Sequence, residues 1–202
     1  MKLYFSPGAC SLSPHIVLRE AGARFDLEQV DLREKKTKTG DDYWQINATG
    51  QVPLLELDDG VRLSEGPAIV QFIADRYPAA GLAPVAGTIE RYRVQGWLTH
   101  IGTELHKTFG PLFRPTTPDA YKTISKQNLA ARYQNIDRHL AGKPSLMGDR
   151  FGIADAYLFT VTRWAPRVEL DLTPFQNVKA FMDRVAARPK VQEALKAEGL
   201  SE

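Results

Sequence analysis

The spacing of apolar residues changes character near residue 80, and this change limits the chain to a two-part fold. Before that point, short β-prone runs alternate with helical repeats in the order strand, helix, strand, loop, strand, strand, helix. After it, only helical spacing is found, as at Val94, Leu98 and Ile101. The sequence therefore predicts an N-terminal α/β domain over residues 1–78, a linker over 79–86 and an all-α C-terminal domain over 87–202.

Charge and composition exclude several classes of function. The 26 basic residues nearly balance the 24 acidic ones, so nucleic acid is not a predicted partner. No apolar run approaches the ~20 residues of a membrane span, and the start at Met1 shows no signal-peptide pattern. With a single cysteine, no internal disulfide can form, and no metal-ligand spacing is present. These features predict a cytoplasmic protein that does not associate with a membrane and has no metal site.

Cys10 is the residue with the clearest chemical potential. It follows the turn signal at Pro7-Gly8 and precedes a predicted helix that begins near Ser11. Free amides and the positive end of the helix dipole favour a thiolate at such a position. A buried cysteine acting as a small hydrophobe is an equally good interpretation. No second thiol follows it, so a dithiol cycle within this chain is excluded.

Two further motifs in the first half suggest a ligand. The element order is that of a thioredoxin-like domain, in which the site of Val52-Pro53 holds a cis proline and offers the backbone of residue 52 to an extended peptide. Glu65 and Gly66 open a helix whose N-cap is predicted at Ser64. Helix-start amides bind a carboxylate, and the Glu65 carboxylate suits an ammonium group. An ordinary capped helix is the alternative interpretation.

In the second half, a polar stripe runs along the first long helix. Gln95, Thr99, Thr103 and His106 lie roughly opposite its apolar face. The stripe holds uncharged hydrogen-bonding groups, which favours a polar cleft over a solvated face, although both interpretations stay open. His106 is placed to donate a hydrogen bond to a sulfur or to accept its proton.

Four segments together resemble the beta-class glutathione transferases of bacteria. They are MKLYFSPGACSLSPHIVLREAG, GQVPLLELDDG, LSEGPAIVQFIADRYP and FGIADAYLFTVTRWAP, and they occur in the family's order and spacing over essentially the whole chain. The resemblance implies the glutathione transferase fold: a thioredoxin-like α/β domain followed by an all-α domain. It also implies a homodimer with glutathione as co-substrate.

The resemblance also implies roles for individual residues. Cys10 corresponds to the cysteine beside the glutathione thiol, and His106 to a second group that contacts the sulfur. The implied glutathione-binding set is Cys10, Lys35 for the glycyl end, Val52 for the cysteinyl part, Glu65 and Gly66 for the γ-glutamyl end, Thr103, Glu104, Leu105 and His106 near the thiol, and Thr99, where relatives often carry an asparagine that reaches across the dimer.

Three other positions have structural roles by the same resemblance. Pro53 is the expected cis proline. Gly152 and Asp155 stand where the wider superfamily has a capping box, with serine or threonine usual at the first position. Glycine lacks a side-chain acceptor, which predicts a cost of a few tenths of a kcal/mol relative to serine.

Three functions are consistent with these residues and with the resemblance. The first is conjugation of the glutathione thiolate to hydrophobic electrophiles, including dehalogenation and a role in detoxification, with Phe109, Phe113 and Trp164 as candidate walls for the electrophile. The second is disulfide exchange through a mixed disulfide between Cys10 and glutathione. The third is a non-catalytic binding or regulatory module of the same fold.

Overall fold

The computed structural model describes residues 1–200, and within it the chain forms two compact units. The first unit joins Met1–Ala83 with the segment that begins at Arg188, and the second is Pro84–Ala187. The sequence-based domain boundaries differ at one place: the last helix packs with the α/β unit, because its apolar face lies against the first helix of the chain.

The α/β unit is built on a five-stranded mixed sheet. Its strands are β1 (Lys2–Phe5), β2 (Asp26–Asp31), β3 (Lys36–Thr37), β4 (Leu54–Glu56) and β5 (Arg62–Ser64), in the spatial order β3-β2-β1-β4-β5. Strands β1 and β2, which a helix connects, are parallel, and the other pairs are antiparallel. The central strand β1 aligns Leu3 with Leu27 on one side and with Leu55 on the other.

Helices of this unit cover the sheet and carry the site. They are α1 (Leu12–Glu20), α2 (Tyr43–Ile46), α3 (Gly66–Arg76) and α9 (Pro189–Ala197), with a 3₁₀ turn at Pro78–Ala80. Helix α1 packs against both α3 and α9. The core between these helices is fully buried at Ile16, Ile69 and Val191. Because α1 is packed against two helices, the start of α1, which the Cys10 loop precedes, has a fixed position in this unit.

The second unit is entirely helical in its regular structure. It contains α4 (Ile89–His100), a π-helical turn (Ile101–His106), α5 (Lys107–Phe109), α6 (Asp119–Leu140), α7 (Ile153–Thr162) and α8 (Gln176–Ala186), with 3₁₀ turns at Gly110–Phe113 and Ala165–Val168. All ten residues of α7 are buried, so this helix forms the centre of the unit. Its own Phe159, Tyr133 of α6 and Phe181 of α8 are among the largest fully buried side chains. None of the helices in the described residues is both long enough and apolar enough to cross a membrane.

Two details differ from the sequence-based expectation. The loop that the sequence predicts after the second strand contains β3 and α2, and Asp42 caps α2 by accepting from the Trp44 amide at 3.0 Å. Ser64 was expected to cap α3, but it lies in β5, and Glu65 holds the cap position instead.

Candidate active site

Cys10 lies between the turn after β1 and the start of α1. The α1 cap residue is Ser11, so Cys10 stands one residue before it, where the sequence placed it. Its Sγ donates a hydrogen bond to the carbonyl oxygen of Val52 at 3.2 Å. Cys10 therefore contacts the Val52-Pro53 segment, whose backbone the sequence predicts to bind an extended peptide.

In the free protein, the surroundings of Cys10 oppose ionisation of its thiol. Burial raises the pKa of the Cys10 thiol to about 12, while the nearby amides of Cys10 and Ser11 lower it by less. The negative charge of Glu65 raises it further. Desolvation therefore outweighs the helix-start effect, and Cys10 is a neutral thiol at physiological pH, not the thiolate that its position favours.

A carboxylate from the far end of the chain holds the loop before Cys10. Glu198 accepts from the Gly8 amide at 2.9 Å with one oxygen and bonds Nδ1 of His15 at 2.8 Å with the other. The Nε–H of Arg19 donates to Nε2 of His15 at 2.8 Å, which places the imidazole proton on Nδ1. His15 thus has a structural role and stands apart from the predicted ligand set, while Glu198 had no predicted role.

The Val52-Pro53 peptide bond is cis, as the sequence predicted. The loop before it is fixed by two side chains that converge on one carbonyl: Tyr43 Oη and Asn47 Nδ2 both donate to the Gln51 oxygen at 2.8 Å. Val52 itself is buried. The backbone at Val52 is therefore presented by a rigid segment.

Lys35 lies at the other side of this loop. Its Nζ donates to the Gly50 carbonyl at 2.8 Å and sits 5.4 Å from the ring centroid of Trp44. Lys35 also has a positive φ of 54°, a conformation that few residues other than glycine adopt. The ammonium group is thus directed to the loop and retains donors for a further acceptor.

Glu65 is the most strained residue of the predicted ligand set. Its φ of 67° and ψ of 110° lie outside the common regions, directly before α3. Its side chain makes no capping hydrogen bond, and its negative charge raises the pKa of the Cys10 thiol. Gly66 begins α3. The α/β unit therefore brings together Cys10, Val52, Glu65 and Lys35 around one loop cluster.

In the helical unit, His106 ends the π-helical turn. Its Nδ1 lies 2.7 Å from Tyr157 Oη, and burial lowers its pKa, so the ring is neutral near pH 7. Neutral imidazole with Nδ1 bonded to a hydroxyl leaves Nε2 as its second polar atom. A π-helical turn often marks a functional position, because it displaces one turn of side chains from the regular spacing.

An aromatic cluster surrounds His106. The Trp164 ring centroid is 4.9 Å from that of His106 and 5.7 Å from those of both Phe109 and Phe113. Phe109 is fully buried, whereas Phe113 is 44% exposed. The cluster therefore presents an open aromatic surface beside the histidine.

The other predicted residues of the helical unit are placed differently. Thr99 and Thr103 are exposed, and the Thr103 hydroxyl donates to the Thr99 carbonyl at 3.0 Å. Glu104 pairs with Arg132 at 2.7 Å. The Leu105 side chain is fully buried in the core, so only its backbone could serve a ligand.

The predicted capping motif of α7 is half present. The Asp155 carboxylate accepts from the Gly152 amide at 2.8 Å, but Gly152 has no side chain to return the bond. The other carboxylate oxygen of Asp155 accepts from the Leu146 amide at 2.8 Å. Asp155 thus fixes both the start of α7 and the loop before it, which supports its predicted structural role.

The chain is similar to known proteins of one family. The family model described as glutathione S-transferase, N-terminal domain, matches residues 8–76, and the one described as glutathione S-transferase, C-terminal domain, matches residues 100–189. Glutathione S-transferase GstA of Escherichia coli O157:H7 is 51% identical over 200 residues, which are 99% of this chain and 100% of the relative. The chain belongs to the glutathione S-transferase family.

Solved structures place this transferase in the bacterial beta class. A beta-class glutathione S-transferase of Sphingomonas chungbukensis is 47% identical, with a TM-score of 0.96 and full coverage of both chains. A sphingomonad glutathione S-transferase complexed with glutathione is 45% identical, again with a TM-score of 0.96 and full coverage of both. The family and fold predicted from the sequence are therefore confirmed, and glutathione is the co-substrate of this enzyme. The relatives favour neither alternative, disulfide exchange or a non-catalytic module.

Proposed function

We propose that this glutathione S-transferase conjugates the glutathione thiolate to hydrophobic, chiefly aromatic, electrophiles, and releases halide where the electrophile carries one. The observation that carries the proposal is the aromatic surface beside His106. Phe113 is half exposed, with Trp164 5.7 Å from it and the buried Phe109 behind. Such rings bind a flat apolar substrate by offset and edge-to-face packing.

Glutathione is proposed to bind along the loop cluster of the α/β unit. The backbone of Val52 pairs with the cysteinyl part, and the Glu65 carboxylate with the γ-glutamyl ammonium group, while the Gly66 amide faces the γ-glutamyl carboxylate. Lys35 has three donors and uses one on Gly50, so it can also bind the glycyl carboxylate. Thr99 and the segment 103–106 remain predicted contacts, Thr99 across a homodimer.

The proposed reaction needs only the residues described. The glutathione sulfur attacks the carbon that bears the halogen, a carbon–sulfur bond forms, and the halide leaves with the electron pair of its own bond. The proton of the glutathione thiol passes to solvent before attack. From the family resemblance, His106 stays a predicted contact of the sulfur, and because burial keeps its imidazole neutral, the ring has one N–H to donate.

A direct test of the aromatic surface uses 1-chloro-2,4-dinitrobenzene as electrophile. Phe113→Ala should lower kcat/KM for this substrate about tenfold, because a lost aromatic contact is worth roughly 1–1.5 kcal/mol. The KM for glutathione should stay unchanged. Tyr121→Ala removes another exposed aromatic side chain of the same unit and serves as the control. Equal effects of the two variants would contradict the proposal.

Disulfide exchange is the second candidate function. The Cys10 sulfur is 3.2 Å from the Val52 carbonyl, the group proposed to hold the cysteinyl part of glutathione. Cys10 would lose its proton to solvent and attack a glutathione-containing disulfide, forming a Cys10–glutathione disulfide and releasing the other thiol. A second glutathione would then attack this disulfide, restore Cys10 and leave as glutathione disulfide. The bonds made and broken balance without another oxidant.

Parallel assays separate the two functions. Cys10→Ala should lower glutathione-dependent reduction of 2-hydroxyethyl disulfide at least about tenfold, since its nucleophile is lost. Conjugation uses the sulfur of glutathione itself and should change less than about threefold. Equal loss of both activities would exclude a separate exchange function for Cys10.

A further inference from the structure

The two nitrogens of the His106 imidazole have different surroundings. Nδ1 lies 2.7 Å from the Tyr157 hydroxyl oxygen. Nε2 has no hydrogen-bond partner within residues 1–200, and it is not among the unpartnered side-chain atoms that are buried there. One nitrogen is therefore used inside the helical unit, while the other is open to a ligand. A neutral imidazole carries a single proton, and its place decides whether the open nitrogen donates or accepts a hydrogen bond.

The Tyr157 hydroxyl has a fixed position beside the π-helical turn. Tyr157 belongs to α7, whose residues are all buried, and its own side chain is 3% exposed. A Cβ atom added to Gly102 would lie 3.6 Å from the hydroxyl oxygen. The hydroxyl thus lies against the turn at Gly102 and at His106, which follows four residues later. A buried ring on the central helix of the unit leaves the oxygen little freedom to move.

Two aromatic rings fix the plane of the His106 imidazole. The Tyr157 ring centroid is 5.9 Å away with an angle of 78° between the planes, and that of Trp164 is 4.9 Å away with an angle of 65°. Both are edge-to-face contacts, the favourable geometry for such rings. A half-turn of the imidazole about its Cβ–Cγ bond would put a carbon in place of Nδ1 and lose the hydrogen bond to Tyr157. The rings and the hydroxyl therefore select one orientation.

The relative acidity of the two groups gives the direction of the hydrogen bond. A tyrosine hydroxyl ionises near pH ~10, whereas the unprotonated imidazole nitrogen is the stronger base, with a conjugate acid of pKa ~6.5. The hydroxyl therefore donates and Nδ1 accepts. Burial lowers the pKa of His106 and keeps the ring in its neutral form, so its only proton is on Nε2.

We propose that Tyr157 is a positioning residue of the transferase reaction, whose hydroxyl holds His106 as the Nε2–H tautomer. The role in the reaction rests on the proposed function, in which His106 contacts the glutathione sulfur. The Nε2–H group then donates to the thiolate and stabilises its charge. A proton on Nδ1 would instead turn the lone pair of Nε2 towards the thiolate, which is unfavourable. The imidazole loses no proton, since the thiol proton passes to solvent.

The tautomer is tested in the free enzyme by two-bond ¹H–¹⁵N NMR of the histidine rings at pH 8. The wild type should show protonated Nε2 and unprotonated Nδ1 for His106. In Tyr157→Phe the two nitrogen signals should move towards each other, because the ring then exchanges between tautomers. Tyr133→Phe is the matched control, since it removes another buried hydroxyl of the unit, which donates to Thr162 at 3.1 Å. A wild-type proton on Nδ1, or equal nitrogen shifts in both variants, would overturn the proposal.

The role in the reaction is tested by the pKa of the bound glutathione thiol, read from the ultraviolet absorbance of its thiolate. Tyr157→Phe should raise this pKa and lower kcat/KM for 1-chloro-2,4-dinitrobenzene at saturating glutathione about tenfold, since a hydrogen bond to a charged group is weakened. The KM for glutathione should change less than about twofold. Tyr133→Phe should alter none of these values.

A double variant shows whether Tyr157 acts through His106. In a His106→Ala background, Tyr157→Phe should have no further effect on the thiol pKa, because the ring it positions is gone. If His106→Ala raises the thiol pKa and Tyr157→Phe does not, the role of Tyr157 is wrong while the proposed sulfur contact stands. If His106→Ala leaves the thiol pKa unchanged, the sulfur contact itself is wrong and the role of Tyr157 in the reaction is overturned with it.

Discussion

His15 and Glu198 form a 2.8 Å hydrogen bond with both side chains fully buried, although 183 residues separate them in the sequence. The same carboxylate accepts from the Gly8 amide, in the turn that leads to Cys10. Glu198 thus holds the turn that leads to Cys10.

This relationship predicts a large loss of stability on truncation of Glu198. Glu198→Ala removes the carboxylate partner of the fully buried His15 ring, so the free energy of unfolding should fall by roughly 2–4 kcal/mol in urea denaturation. Glu193→Ala, on the same helical segment but with exposed pairs to Arg19 and Lys190, should lower the free energy of unfolding much less. Similar losses for both variants would show that the buried network contributes no more than a surface pair.

Cys10 should react slowly with iodoacetamide in the free enzyme, because its pKa is raised to about 12. The charge of Glu65 is one cause of that shift, so Glu65→Gln should lower the pKa and speed alkylation at a fixed pH between about 8 and 9. Glu34→Gln, in the exposed loop after β2, is the matched control. A wild-type midpoint near ~8.5, the value of a free thiol, would contradict the burial argument.

Much of the fold could be predicted from periodicity alone. The pattern of β1, α1 and β2 is strong because apolar residues recur at the spacing of each element, and the helices after residue 87 repeat their apolar residues over several turns. The elements that were missed, β3 and α2, have two and four residues, too few for a period to show. The packing of α9 with the α/β unit depends on contacts distant in sequence, which local patterns do not contain.

The candidate site was predicted less completely than the fold. The sequence pointed to Cys10, Val52 and Glu65, whose turn and cap signals are local. It gave no signal for Glu198, which acts over 190 residues, nor for Tyr157, the partner of His106. The pKa of the Cys10 thiol is lowered by the helix-start amides and raised by burial. The balance of the two effects depends on the packed environment, which the sequence alone does not contain.

The lowered pKa of His106 leads us to expect that the enzyme is less stable at acidic pH. Burial lowers its folded-state pKa below the usual ~6.5, so between the two values the unfolded chain binds more protons than the folded enzyme. The free energy of unfolding should therefore fall as the pH decreases below about 6.5, and His106→Asn should make that decrease smaller. The pKa of His100 is also lowered by burial, so part of the slope should remain. An NMR titration that gives His106 a pKa at or above its usual value would contradict this prediction.

The start of α7 offers a stabilising substitution. Gly152 has extended backbone angles that any residue adopts, and Asp155 already accepts from its amide, so Gly152→Ser should complete the capping box. We expect a gain of a few tenths of a kcal/mol in thermal or urea denaturation, since serine adds an acceptor that glycine lacks. Asp155→Ala should instead cost roughly 2 kcal/mol or more, because the Leu146 amide is left buried without its carboxylate partner. If Gly152→Ser stabilises Asp155→Ala as much as it stabilises the wild type, the two residues act independently and the reciprocal box does not form.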